Sequence, residues 1–165
     1  AASDVYKRQE ILDRQIACNM AIANEGIHNS YGANIGHVIL NMDSDCVKTR
    51  AKAYAAAGSE ARMNGCELPV VINSGSGNQG ITCCVPVVVY AKELDCTQEQ
   101  LYRALVLSNL TAIYIKTGIG TLSAFCGAVS AGAAAGAGIA YLHNGTYKEI
   151  QHTIVNALAL SLIHI

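Results

Sequence analysis

"VVINSGSGNQGITCCVPVVVYA", residues 70–91, is the stretch on which the fold turns. Three glycines fall at G-x-G-x-x-G (Gly75, Gly77, Gly80) directly behind a β-branched run, the spacing of a dinucleotide-binding fingerprint. A nucleotide fold asks for more: a helix opening at the third glycine, a second strand, and an acid near the end of that strand. Asp95 stands at a suitable distance, but the residues between Gly80 and Asp95 are too few for a useful helix and a strand. Pro86 falls where that helix would have its interior. A P-loop fails sooner, because no Lys-Ser/Thr follows the glycines. A plain glycine turn between a strand and a helix leaves the polar residues unexplained. Asn73, Ser74, Ser76, Asn78 and Gln79 interleave with the glycines and set hydroxyls and amides beside exposed backbone N–H groups. At a helix N-terminus that combination receives a small anion, a carboxylate as readily as a phosphate.

Working outward, "ELPVVIN" reads as a short extended stretch opened by Pro69. Residues 79–94 are ambiguous: "CCVPVVVYA" is β-branched, yet Pro86 suits the first turn of a buried helix. Residues 10–27 space their apolar side chains helically, and "HNSYGANIG" breaks the pattern. A second helix is expected over 43–64, opened by the N-cap run "DSD" and stopped at Asn64-Gly65. Over 97–117 the signal is clear, with Thr97 as N-cap and Gln100 completing a capping box. Residues 121–142 are dense in Ala and Gly, and a last helix starts near Thr146, boxed by Glu149. The expected fold is therefore mainly α, with buried Ala/Gly-rich helices and at most a small β element near 69–90.

Composition narrows the function classes. Eleven basic residues against 12 acidic ones leave a net charge of −1, which gives no footprint for nucleic acid or an acidic membrane. Charged residues make up 14% and apolar ones 52%, a surface that expects to meet more protein. Seven cysteines, an odd number with no C-x-x-C and no signal-like start, argue against a secreted disulfide framework and for the cytoplasm. The sequons at Asn109 and Asn144 then read as accidental. Between Lys116 and Lys148 no charge occurs, and Gly132 and Gly136 form a small-xxx-small pair. A membrane-embedded helix is one reading of that stretch. Its Ala/Gly bulk, with Ser123, Ser130 and His143, favours a helix buried in protein. The ends "AASDVYKRQ" (1–9) and "LSLIHI" (160–165) look like translated adapter sequence and are set aside as non-native.

Three stretches in order, "SEARMNG", "INSGSGNQGITCCVPVVVYA" and "YIKTGIGTLSAFCGAVSAGAAAGAGIAYLHNG", resemble the L-cysteine desulfidase/L-serine dehydratase α-chain-like family, with the desulfidase branch the nearer. The resemblance covers 10–159 and implies a partial domain of a cytoplasmic iron–sulfur lyase. Such enzymes remove sulfide from L-cysteine, or water from L-serine, to give pyruvate and ammonia. The resemblance implies a substrate-binding loop at Asn73, Ser74, Gly75, Ser76, Gly77, Asn78, Gln79 and Gly80. It also implies one ligand of a four-iron four-sulfur cluster at Cys126. Lys116 in "YIK" is a candidate electrostatic contributor, with a helix-end surface lysine as the equal alternative. The family's catalytic base, in a Y-G-C-T-like motif, would precede residue 1, and its other two cluster cysteines would follow the C-terminus. This segment alone is thus expected to be inactive. Adjacent Cys83 and Cys84 would chelate one iron poorly and are read as packing, and Cys18, Cys46, Cys66 and Cys96 match no ligand motif.

The expected partner is a small amino acid, without nucleic acid or membrane, and the low charge is compatible with a homo-oligomer. Two other classes remain: an anion- or nucleotide-binding module built on the same loop, and a membrane-embedded helical segment.

Overall fold

The computed structural model describes residues 2–42, 44–120 and 126–162. Seven helices account for the regular structure of these residues: α1 (Ala2–His28), α2 (Ile35–Met42), α3 (Val47–Met63), α4 (Gly77–Glu93), α5 (Gln98–Ile119), α6 (Gly127–Leu142) and α7 (Tyr147–Leu162). No strand occurs among the described residues. The one isolated bridge, Asn73 with Ser76, is what remains of the expected β element.

The ambiguous stretch 79–94 is helical. α4 is the central helix, packed against α1, α3, α5 and α6, with Ile81, Cys83, Cys84, Val85, Val87 and Val88 at most 1% exposed. Burying a Val or Ile side chain is worth about 1.5–3 kcal/mol, against at most ~0.7 kcal/mol of helix propensity lost at each. Burial therefore decides for helix. Pro86 sits inside α4, where it withholds the N–H that the Thr82 carbonyl would receive. In the same turn, the buried Ser108 hydroxyl donates to the Cys83 carbonyl at 2.7 Å.

The directions of three neighbours of α4 can be read from close contacts. Gly77 meets Arg62 and Gly58 meets Ile81, so α3 runs antiparallel to α4. Gly127 meets Gln79 and Gly138 meets Val87, so α6 runs parallel to it. Ser108 bonds Cys83 while Ala104 lies with Val87 across Gly138, so α5 is antiparallel. One end of the bundle thus gathers the N-termini of α4 and α6 with the C-termini of α3 and α5.

Two helix starts differ from expectation. α3 begins at Val47 with Cys46 as N-cap, and the "DSD" run lies ahead of it. Its Asp45 pairs with Arg50 at 2.6 Å instead of capping, and residue 43 lies outside the described residues. α2 has no signal of its own in the sequence. Both carboxylate oxygens of Glu60 accept from α2's lead-in, from the Ala33 and Ile35 N–H groups at 2.7 Å each. This long-range cap replaces a local one, and Glu60→Ala is expected to cost about 1 kcal/mol. Hydrogen exchange should report that loss chiefly in α2.

The boxes at Thr97/Gln100 and Thr146/Glu149 are formed as the spacing predicts. In the second, the Thr146 N–H and hydroxyl hold the Glu149 carboxyl below the usual range. Among the described residues, no helix is long and apolar enough to cross a membrane. The Ala/Gly stretch is α6, whose Ala131, Ala133, Ala134 and Ala137 are at most 1% exposed. Residues 121–125, Ser123 included, lie outside the described residues.

Candidate functional site

The glycine loop is built by three different demands. Ser74 and Gly75 have φ of 51° and 82°, the pair of positive values that a tight two-residue hairpin turn requires. Asn73 and Ser76 close that turn, each donating its N–H to the other's carbonyl at 3.2 and 3.0 Å. Gly77 opens α4, and a Cβ there would stand 2.8 Å from the Arg62 guanidinium carbon. Gly80 lies so close under the extended segment that a Cβ would run into the Val71 carbonyl. A turn, an arginine and a crossing backbone explain the three glycines, and no nucleotide is needed for any of them.

A buried polar frame holds the loop from behind. Asn19 of α1, fully buried, accepts from the Val71 N–H at 2.9 Å. Its amide donates to the Val71 carbonyl at 3.2 Å and the Gly80 carbonyl at 3.0 Å. Asn73 turns inward and donates to Asn109 Oδ1 of α5 at 2.8 Å. Asn109 exchanges two hydrogen bonds with the buried Gln15, at 2.8 and 2.9 Å, and donates to the Leu105 carbonyl at 2.9 Å. The Ser74 hydroxyl completes the chain on Asn73 Oδ1 at 2.7 Å. Of the residues expected to hold a ligand, Asn73 therefore serves the frame. Ser74, Gly75, Ser76, Asn78 and Gln79 are half-buried or exposed, while Gly77 and Gly80 are buried.

The other expected residues arrive at the same end of the bundle. Gln79 packs on Gly127, with its amide carbon 2.7 Å from where a Cβ would be, which sets the loop beside Cys126. Cys126 is exposed and is the N-cap of α6. Lys116, in the last turn of α5, shares with Ser74, Ile113, Thr117 and Gly120 a recess of about 310 Å³. Neither Ser76 nor Cys126 makes a side-chain cap bond, so among the described residues the first-turn N–H groups of α4 and α6 are free of side-chain caps. α5, whose start lies at the far end, has its box. The start of α3 is also uncapped, but it too lies away from the loop. Two parallel helix N-termini side by side present N–H groups suited to an anion, set against the carbonyls that the C-termini of α3 and α5 bring to the same end.

Arg62, Asn109, Gln15 and Asn19 are the residues that sequence reading passed over. Arg62 was in plain view in "SEARMNG", and its guanidinium donates to Asn78 Oδ1 at 3.0 Å. A polar residue in the apolar spacing of α1 was the available sign for Gln15.

The cysteines divide clearly. Burial pushes the Cys83 thiol up to about 12 and raises Cys84 as well, so both remain protonated and are poor metal ligands. Cys46 is held below the ordinary thiol range by its hydrogen bond with the Thr49 hydroxyl. No group of three His, Cys, Asp or Glu able to hold a metal occurs among the described residues. Cys126 can offer one thiolate to an iron–sulfur cluster, and the described residues do not by themselves fit such a group.

No solved structure matches this chain. It is 62% identical over 152 residues to a UPF0597 protein of Desulfitobacterium hafniense (strain Y51), covering 92% of this chain and 35% of that protein. A UPF0597 protein of Lachnoclostridium phytofermentans is 58% identical over 156 residues, covering 94% of this chain and 37% of the relative. One from Finegoldia magna is 50% identical over 158 residues, with 96% and 38% covered. The chain thus spans little more than a third of the length of these relatives. A family model described as "Serine dehydratase alpha chain" matches residues 1–162. The chain belongs to the serine dehydratase alpha chain family.

Proposed function

We propose that this chain is the substrate-carboxylate half of an amino-acid lyase, which eliminates sulfide from L-cysteine or water from L-serine. The observation that carries the reading is the convergence of two side-chain-uncapped, parallel helix N-termini, α4 and α6, at the "NSGSGNQG" loop. The N–H groups of Gly77, Asn78 and Gln79 face no intrahelical acceptor and would bind the carboxylate. Ser76 and the half-buried Asn78 and Gln79 would orient the α-amino and β-substituent ends. Lys116, beside Ser74, would raise the potential at the loop tip.

In the reaction, the Cα–H and Cβ–S (or Cβ–O) bonds break. The proton goes to a base and the electron pair leaves with sulfide or hydroxide. The 2-aminoacrylate that remains tautomerises to the imine, and water hydrolyses it to pyruvate and ammonia. An iron–sulfur cluster would supply Lewis-acid assistance to the leaving group, with Cys126 as one ligand. The remaining ligands and the base would come from sequence outside 10–159, and the terminal stretches 1–9 and 160–165 would not be native.

The test is anaerobic reconstitution with iron and sulfide of a longer family protein that carries this segment. Pyruvate release from L-cysteine and L-serine is then followed beside the cluster absorption band. Turnover is expected in the longer protein, and no stable cluster in the present chain. A cluster-loaded protein that releases pyruvate from neither amino acid would refute the lyase reading. Full turnover by the present chain alone would refute the division of the site.

A further inference from the structure

We propose that Arg62 is a positioning residue for the anion bound at the first turn of α4, an inference that rests on reading that turn as a carboxylate cradle. Arg62 belongs to the last turn of α3, where the helix carbonyls favour a cation, yet its side chain leaves α3 and lies along Gly77. A Cβ at Gly77 would meet both the guanidinium carbon at 2.8 Å and the Val70 methyl at 2.9 Å, so only glycine admits the arginine there.

The guanidinium donates to Asn78 Oδ1 at 3.0 Å and to Met63 Sδ at 3.8 Å. Among the described residues it has no carboxylate partner. Arg50 and Arg103 are each tied to carboxylates, Asp45 and Glu93 for the one and Glu99 for the other.

Two consequences follow from this placement. A cation beside a helix N-terminus opposes the helix dipole, and a bound anion relieves that conflict. Because Arg62 occupies the oxygen of the Asn78 amide, the two N–H donors of Asn78 are turned away from Arg62 and are available to the anion. Arg62 thus acts through Asn78, setting which end of the amide the ligand meets.

Titrating the isotope-labelled chain with L-serine, while following the backbone amides of Gly75 to Gly80 and the Asn78 side-chain amide by NMR, tests this. Arg62→Gln should weaken binding about tenfold and move the Asn78 side-chain signals, the loss typical of one charge-assisted contact. Arg62→Lys keeps the charge without the planar donor and should recover about a third of the affinity, which a loss of packing alone would not allow. Asn78→Ala in the Arg62→Gln background should add little. Arg62→Gln and Arg62→Lys both binding within twofold of the unmodified chain, with Asn78 unmoved, would overturn the role of Arg62 alone. An unmodified chain whose loop amides ignore L-serine would overturn the cradle itself, and the inference with it.

Discussion

Gly80→Ala is expected to cost at least about 3 kcal/mol, lowering the thermal midpoint of a chain this size by roughly 6–12 °C. The added methyl would run into the Val71 carbonyl and stand 3.0 Å from Ile72 Cα. Both are backbone, so no side chain can rotate aside. The segment they belong to is tied to α1 by Asn19, which bonds both the N–H and the carbonyl of Val71, so moving it aside would break those bonds. Two other glycines supply controls. Gly118, inside α5, has nothing within 4 Å of an added Cβ, so Gly118→Ala should gain up to ~1 kcal/mol from helix propensity. Gly75 is equally open but has φ 82°, so Gly75→Ala should lose about 1–2 kcal/mol to the left-handed backbone. Calorimetry or urea melts returning one common small value for all three would refute the account of the loop as a crossing point.

The second large effect belongs to Asn19→Leu. Leucine keeps the branched outline of asparagine with two bulkier methyl ends, and it can bond neither the N–H nor the carbonyl of Val71. The Gly80 carbonyl loses a donor too, though it lies within α4 and also faces Cys83 Sγ at 3.5 Å. Two orphaned backbone groups beneath the loop should cost about 2–5 kcal/mol, against less than ~0.5 kcal/mol for Asn24→Ala at an exposed position of the same helix. The urea midpoint measures this directly, and a shift of under about 1 kcal/mol would mean that Val71 finds other partners.

How far the sequence could be read depended on whether each cause was local. Thr97 with Gln100, and Thr146 with Glu149, are three residues apart, and both boxes form where the spacing places them. α2 could not be read that way, because its cap, Glu60, is contributed by α3. α4 was ambiguous for a related reason. Its β-branched run and Pro86 disfavour helix locally, and only burial on four sides reverses that preference. At the loop, glycine spacing suggested a nucleotide, while the interleaved polar residues suggested an anion. What no spacing could disclose is that Asn73 faces inward to Asn109. That asparagine, set aside as part of an accidental sequon, is the hub joining α1, the loop and α5. Arg62 stands within "SEARMNG", but its reach to Asn78 exists only once α3 and α4 lie antiparallel.

Cys83 and Cys84 are poor iron ligands, and their packing gives them another use. The Cys83 thiol points to α5, 3.5 Å from Asn109 Oδ1, and the Cys84 thiol points to α1, 3.8 Å from the Gln15 carbonyl. Both are fully shielded, so a thiol reagent can reach either only when a helix lifts away. Neighbours in the chain thus guard different seams. Labelling at Cys83 clocks the parting of α4 from α5, and labelling at Cys84 clocks its parting from α1. The chain carries its own pair of gauges for whether it opens one seam at a time or all at once.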